Sequence, residues 1–256
     1  MSQVIQFDEV ADLYDVYVNV DLDINFFIQE AKRVGGKTLE LTCGTGRVSI
    51  PLLQAGVDLT CVDYSKQMLG KLHEKLRRTG VFCTVVDMDI TKLSLSDRFD
   101  LIFVPFHSFQ EIVDQSQHLQ TLRRILVHLT ENGRFICTLQ NPNVRLKSID
   151  GILRPLGKFS MDSGRFLEVK SLLAYDTSTK LVHGFQLYDI FDGDDVLIET
   201  RRLEINFCLF TKVEFEQLVY SAGFQVDELY GDYSYSQFDE ETSPFMIWKL
   251  KRAPVD

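Results

Sequence analysis

Apolar residues arrive along this chain in two rhythms. Thr38 to Leu41, Leu59 to Asp63, Phe82 to Val86, Phe99 to Val104 and Arg134 to Leu139 are short, largely apolar runs of the kind that form buried strands. Between them the apolar positions recur at helical spacing. Residues 23 to 34 predict an amphipathic helix ended by Gly35-Gly36. Val48, Ile50, Leu52 and Leu53 predict another from Arg47 onward. Ser65 caps a third through about Arg78, with Met68, Leu69, Leu72 and Leu76 on its inner face. Residues 115 to 129 carry Leu119, Leu122, Ile125, Leu126 and Leu129. Strands alternating with helices predict a parallel sheet with crossovers on both faces.

The pattern changes after about Gly157. Phe166 to Tyr175, Leu181 to Phe191 and Val196 to Phe207 read as strands joined by hairpin connections at Asp176–Thr179 and Asp192–Asp195. Thr211 then caps a helix ended by Gly223, and Phe224 to Tyr230 and Pro244 to Leu250 close the chain as strands. The expected fold class is α/β: a doubly wound, mostly parallel seven-stranded sheet with an antiparallel β insert before the last helix. Residues 1–157 and 211–256 form the main domain, and 158–210 the insert, as a substrate lid or a dimer interface. The sequence leaves that choice open.

Candidate chemistry gathers where strands give way to helices. After the first strand, Cys43-Gly44-Thr45-Gly46 makes a small-residue turn into a helix, a form that lets the backbone approach a ligand. The dinucleotide fingerprint Gly-x-Gly-x-x-Gly would need a third glycine at Ser49. Glu40, four residues before Gly44, suits a ligand bringing positive charge, such as a sulfonium with an ammonium group, better than a pyrophosphate. That favours S-adenosyl-L-methionine over a nicotinamide dinucleotide. Asp63 ends the second strand 17 residues after Gly46 (63 minus 46), near the spacing of an acid that takes ribose hydroxyls. Asp87 ends the third. Acids at successive strand ends converge on one edge, where open α/β sheets bind ligands.

Composition narrows the classes. The 256 residues are 45% hydrophobic, enough to build one large core. A net charge of −10, with the arginine runs Arg77-Arg78, Arg123-Arg124 and Arg201-Arg202 short and separate, argues against nucleic acid as a partner. No apolar run is long enough to span a membrane, and the N-terminus lacks the basic and apolar regions of a secretory signal. Cys43, Cys61, Cys83, Cys137 and Cys208 are scattered within apolar stretches, which reads as reduced core cysteines of a cytoplasmic protein, with no metal site.

The ordered set of motifs resembles the class I S-adenosylmethionine-dependent methyltransferases over about residues 10 to 250. Glu40-Leu41-Thr42-Cys43-Gly44-Thr45-Gly46 is similar to that family's first motif, and Asp63-Tyr64-Ser65 to its second. Asp87-Met88 is similar to the third, and Phe99-Asp100-Leu101-Ile102 to the fourth. Leu129 to Phe135 and Ala222-Gly223-Phe224 also resemble family segments. One departure stands out: Thr42 occupies a place usually held by glycine. The layout is similar to small-molecule methyltransferases with a β insert, including those acting on amino sugars. The resemblance implies a Rossmann-like core in which Glu40 and the Gly44 and Gly46 backbone hold the methionine part. It implies that Asp63 binds both ribose hydroxyls, that Tyr64 and Met68 flank the adenine, and that Asp87 and the Met88 N–H recognise the adenine edge. Phe106 would pack near the methyl donor, and Tyr14 would close over the cofactor as part of a lid.

Among the residues themselves, His107 follows the fourth strand where an acceptor would meet the methyl group, and is the first candidate for a general base. Tyr14 and Glu111 are reserves. The expected activity is in-line transfer of a methyl group to an oxygen or nitrogen of a small molecule. A cofactor-binding module without turnover and an NAD-linked oxidoreductase are the rival readings; the missing third glycine speaks against the second. The insert aromatics Phe166, Tyr175, Phe185, Tyr188 and Phe191 are expected to shape the cleft or a dimer contact.

Overall fold

A computed structural model describes residues 5–254, apart from the Ser163 side chain. The first four residues, on which part of the N-terminal reading rests, and the last two lie outside it. The chain opens with helices α1 (Ala11–Tyr17) and α2 (Ile24–Val34). It then alternates through β1 (Lys37–Leu41), α3 (Ser49–Gln54), β2 (Asp58–Asp63), α4 (Lys66–Thr79), β3 (Thr84–Asp87), β4 (Phe99–Val104), α5 (Gln115–His128) and β5 (Leu129–Gln140). A short helix α6 (Pro142–Arg145) leads into four strands, β6 (Arg154–Ser160), β7 (Phe166–Asp176), β8 (Leu181–Phe191) and β9 (Leu197–Cys208). Helix α7 (Lys212–Ser221), β10 (Phe224–Tyr230) and β11 (Phe245–Arg252) complete it.

The main sheet has seven strands in the order β10-β11-β5-β4-β1-β2-β3. Strands β3, β2, β1, β4 and β5 run parallel, and β11 pairs antiparallel with both β5 and β10. The direction of winding reverses between β1 and β4, which opens a crevice at their carboxyl ends. One face packs on α2, α3 and α4 through Phe26, Phe27, Leu52, Leu69, Leu72 and Leu76. The other packs on α5 and α7 through Leu122, Ile125, Phe215 and Val219. Each such buried side chain contributes about 1.5–3 kcal/mol. That is why the apolar rhythm of the sequence locates the helices.

The second sheet, β6-β7-β8-β9, is antiparallel throughout. Its inner face builds a third core from Leu167, Val169, Val182, Tyr188 and Leu203, shared with Val10 and Leu13 of the N-terminal segment. The insert therefore packs on the start of the chain, and Arg201 reaches Asp12 at 2.6 Å.

Several boundaries differ from the sequence reading. The third strand begins at Thr84, because Phe82 points into solvent at 85% exposure. Strand β5 starts at Leu129 and runs through the expected turn at Glu131–Gly133, absorbing it as an irregularity in the pairing with β4. The small sheet starts at Arg154, earlier than residue 158, since Arg154–Ser160 pairs along β7. Helix α3 starts at Ser49, because Arg47 and Val48 belong to the turn.

Candidate cofactor and acceptor site

A cavity of about 510 Å³ opens at the crevice between the main sheet, the N-terminal helix and the insert. Its floor is built by the turns after β1 and β2. Gly44 takes φ +54°, and a Cβ placed there would meet only open space, so the peptide is left bare on the cavity side. The Gly44 N–H donates to Asp63 Oδ2 at 2.8 Å, and the Ser65 N–H donates to Oδ1 at 2.9 Å. Each carboxylate oxygen thereby uses one acceptor position and keeps another. Burial pushes the Asp63 carboxyl above its ordinary range, and those backbone bonds oppose the shift. A carboxylate held by two backbone amides and lining a cavity fits a pair of ligand hydroxyls.

Tyr14, Gly44, Asp63, Tyr64, Met68, Phe106 and His107 all line this cavity. Sequence reasoning had placed them on four separate segments. Glu40, Gly46, Asp87 and Met88 are not among its lining residues. Glu40 is buried behind the turn, where Ser49 Oγ–H donates to its Oε2 at 2.6 Å. Burial pushes its carboxyl up to about 8. Gly46 serves packing: at φ +84°, an added Cβ would lie 2.5 Å from Leu72 Cδ1, so only glycine lets α4 approach. Asp87 ends β3 beside Asp63, with its side chain exposed. The expectation for the Met88 N–H is corrected: it already donates to the Asp63 carbonyl at 2.9 Å, continuing the β2–β3 pairing beyond the strand ends, and is not free for a ring nitrogen.

The His107 reading also needs correction. The imidazole does line the cavity, but it lies nearly parallel to the rings of Phe106 and Phe245, with centroids 6.1 and 5.1 Å away. Its Nδ1 is buried without a hydrogen-bond partner among the described residues. Burial, helped by the nearby Arg145 guanidinium, lowers its pKa to about 3. So weak a base does not draw a proton from an acceptor near neutral pH. Burial likewise raises the Tyr14 phenol far above neutrality, so it is a neutral donor and not a base.

Thr42 departs from its neighbours in the same loop. It lines the cavity at φ +60°, a left-handed conformation unusual for a β-branched residue. The backbone here keeps the shape that glycine would favour, and threonine bears the strain.

The sequence reading missed the clamp around the site. Arg47 makes a two-pronged bond to Asp23, at 2.5 and 2.6 Å, donates to the Val20 carbonyl at 2.9 Å and lies over the Phe106 ring at 4.7 Å. It thus ties the glycine turn to the start of α2 and to the segment after β4. The N-terminal helix is held the same way: Thr45 Oγ1 donates to Asp15 at 2.6 Å and Tyr64 Oη to the Ile5 carbonyl at 2.7 Å. The insert roofs the cavity with Phe159, Leu173, Gln186, Ile205 and Phe207. Phe166, Tyr175, Phe185, Tyr188 and Phe191, which the sequence offered for the cleft or a dimer contact, are not among its lining residues. Phe166 and Phe191 stack on each other at 4.8 Å, Phe185 lies under Arg202, and Tyr188 is fully buried. An adjacent charge such as Asp23 against Arg47 carries no sequence signal, because 24 residues separate the partners.

Residues 38–133 match the methyltransferase domain family. The chain is 32% identical over 149 residues to a glycine/sarcosine N-methyltransferase of Halorhodospira halochloris, covering 57% of this chain and 53% of the relative. It spans about half the length of the first curated relatives it matches. In fold it is similar to the CcbJ methyltransferase of Streptomyces caelestis, with a TM-score of 0.81 at 21% identity over 96% of this chain and 97% of the other. It is also similar to an S-adenosylmethionine-dependent methyltransferase of Clostridium acetobutylicum, with a TM-score of 0.80 at 20% identity over 97% and 99%. At such identities the structural likeness establishes the fold. Among the described residues no helix is long and apolar enough to cross a membrane, and no group of His, Cys, Asp and Glu is arranged to hold a metal ion.

Proposed function

We propose that this chain, whose core is a class I S-adenosylmethionine-dependent methyltransferase domain, moves a methyl group to an amine nitrogen of a small molecule. The observation that carries the cofactor half is the Asp63 carboxylate, fixed by two backbone amides at the edge of the cavity with an acceptor position open on each oxygen. Gly44 keeps the floor free of side chains, and Tyr64 and Met68 wall one side of the pocket. Asp87 remains a candidate for the adenine edge, one strand further out. Two acids, Asp63 and Glu111, line the cavity against one permanent cation, Arg145, among the described residues. That balance favours a cationic cofactor and disfavours a pyrophosphate. Ser49, where a dinucleotide site would need glycine, is buried with its hydroxyl committed to Glu40.

The cofactor supplies an activated methyl group on a sulfonium, so the protein's task is placement. Asp63 fixes one end of the ligand, and Arg47 and Phe106 fix the segment after β4. Tyr14, Tyr17 and the insert exclude water from above. Holding donor and acceptor in a near-attack geometry can lower a barrier by roughly 7–11 kcal/mol. The nitrogen half of the proposal draws on the N-methyltransferase relatives and the acidic lining. N-terminal helix and insert together form the acceptor's roof, which suits a small molecule better than a polymer.

The test is calorimetric titration of the purified chain with S-adenosylmethionine, S-adenosylhomocysteine and NADH, followed by S-adenosylhomocysteine release with glycine, sarcosine, benzylamine and benzyl alcohol as acceptors. Binding of the adenosyl pair alone, with release driven by an amine, is the expected result. NADH binding, or turnover with benzyl alcohol but no amine, would overturn it.

A further inference from the structure

Glu111 closes the 3-10 turn Ser108–Glu111 that follows β4 and lines the cavity. Its position is fixed by its neighbour. Gln110 is buried, its Nε2 donates to the Cys208 carbonyl of β9 at 3.0 Å, and its Oε1 accepts from the Gln140 N–H of β5 at 2.9 Å. Glu111 therefore stands at the seam between the main sheet and the roof, beyond the floor formed by Gly44 and Asp63.

Of the other acids at this end of the sheet, Asp87 lies exposed outside the cavity, and the two nearest the glycine turn are engaged. Asp63 holds Gly44 and Ser65, and Glu40 holds Ser49. The Glu111 carboxylate accepts no hydrogen bond among the described residues. A half-buried carboxylate with no partner is costly, and the cost is relieved when a cation or donor meets it. No cation among the described residues does so. Arg145 and His107 share the cavity, but the Arg145 charge acts on His107 and not on Glu111. The titratable groups that share the cavity with Glu111 and are near enough to feel its charge are Asp63 from β2, Tyr64 just after it, and Tyr14 and Tyr17 from α1. All are anionic or neutral, and the three phenols are pushed up by burial.

We propose that Glu111 recognises the acceptor as its ammonium ion and takes the proton that the nitrogen must lose before methyl transfer. This rests on the amine reading above. The acceptor enters as an ammonium, and one N–H proton passes to Glu111, which becomes the neutral acid. The freed nitrogen lone pair forms the new C–N bond as the C–S bond breaks, and that bond's electrons stay on sulfur. The Glu111 carboxyl, protonated in the empty site, gives its proton to solvent when the ammonium binds; the product leaves as an N-methylammonium with Glu111 again the neutral acid, so each turnover releases one proton. Burial and the Asp63 charge push the Glu111 carboxyl up to about 8, which suits a proton acceptor working slightly above neutral pH. The substrate class is an amine with an apolar body, since the roof presents Phe159, Leu173, Ile205 and Phe207.

The full chain saturated with S-adenosylhomocysteine is titrated calorimetrically at pH 7 with benzylammonium chloride and with its neutral counterpart, benzyl alcohol. Wild type is expected to prefer the ammonium by about tenfold or more. Repeating the titration in buffers of different ionisation heat should show proton release on ammonium binding, as Glu111 gives up its proton to meet the charge. Glu111→Gln should lose both the preference and the proton release while binding S-adenosylhomocysteine as wild type does, and Glu111→Asp should keep part of each. A preference for ammonium that survives in Glu111→Gln, or binding without proton release, overturns the role of Glu111 alone. A wild type that prefers the alcohol, or binds neither probe, overturns the amine reading as well.

Discussion

Replacing Asp63 with asparagine separates two jobs that its carboxylate does at once. The amide oxygen can keep one of the two backbone bonds, to Gly44 at 2.8 Å or to Ser65 at 2.9 Å. The amide nitrogen then faces the other N–H, donor against donor. One charge-assisted bond, worth about 1.5–3 kcal/mol, is lost, and the other weakens to a neutral bond. Relief of burying a charge returns part of this, so the expected loss of folding stability is about 2 kcal/mol. The same change removes the anionic acceptor offered to two ligand hydroxyls. Affinity for S-adenosylhomocysteine should fall by about 2–3 kcal/mol, roughly 30- to 150-fold. Denaturant unfolding reads the first quantity and calorimetry of the folded variant reads the second. Wild-type affinity in folded Asp63→Asn protein would refute the ribose assignment, and unchanged stability would refute the pinning of the glycine turn.

Four further outcomes are expected. For Glu40, a folded pKa of about 8 against an ordinary value of 4.5 means the folded state holds its proton longer. Stability contributed by that proton is greatest below pH 4.5 and declines up to about pH 8, by an amount of the order of 5 kcal/mol; Glu40→Gln should flatten this decline, and a variant with the wild-type pH profile by chemical denaturation would sink the argument. Gly46→Ala forces a left-handed alanine against Leu72 and should cost about 2 kcal/mol or more in unfolding experiments, with a wild-type midpoint as the contrary result. Arg47→Met strands the buried Asp23 carboxylate and should destabilise by about 3–5 kcal/mol, while a loss below about 1 kcal/mol would show that the clamp is not structural. His107→Phe preserves the stacking with Phe106 and Phe245 and should leave turnover within about tenfold of wild type; a larger drop, with loss of an inflection near neutral pH, would restore the imidazole as base.

How much of this was legible beforehand follows from the range of the forces involved. Strand ends are local features, so Asp63 could be found from an apolar run and its spacing from Gly46. Capping is local too: Ser65 Oγ accepts from Met68 N–H and Thr211 forms a capping box with Glu214, each where the sequence placed a helix start. Glu40 and Gly46 were read from the sequence as cofactor contacts. Their chemistry is set by Ser49 and Leu72, which contact them only once α3 and α4 fold back. Met88 was misread because a backbone amide looks free until the neighbouring strand supplies its acceptor.

The sequence by itself determined the alternation of strands and helices, the glycine turn, the acids at strand ends and the antiparallel character of the insert. These rest on periodicity, conformational freedom and caps, which act over a few residues. Only the tertiary structure decided which of the marked residues share a cavity, and the protonation of those that do. His107 follows β4 where the sequence suggested a base, yet burial beside two aromatic rings and the charge of Arg145 lower its pKa to about 3. Glu111 looked like a reserve and becomes the unpartnered acid of the site, because Gln110 locks the turn to β5 and β9. A pKa depends on desolvation and on charges brought together by packing, and neither is written along the chain.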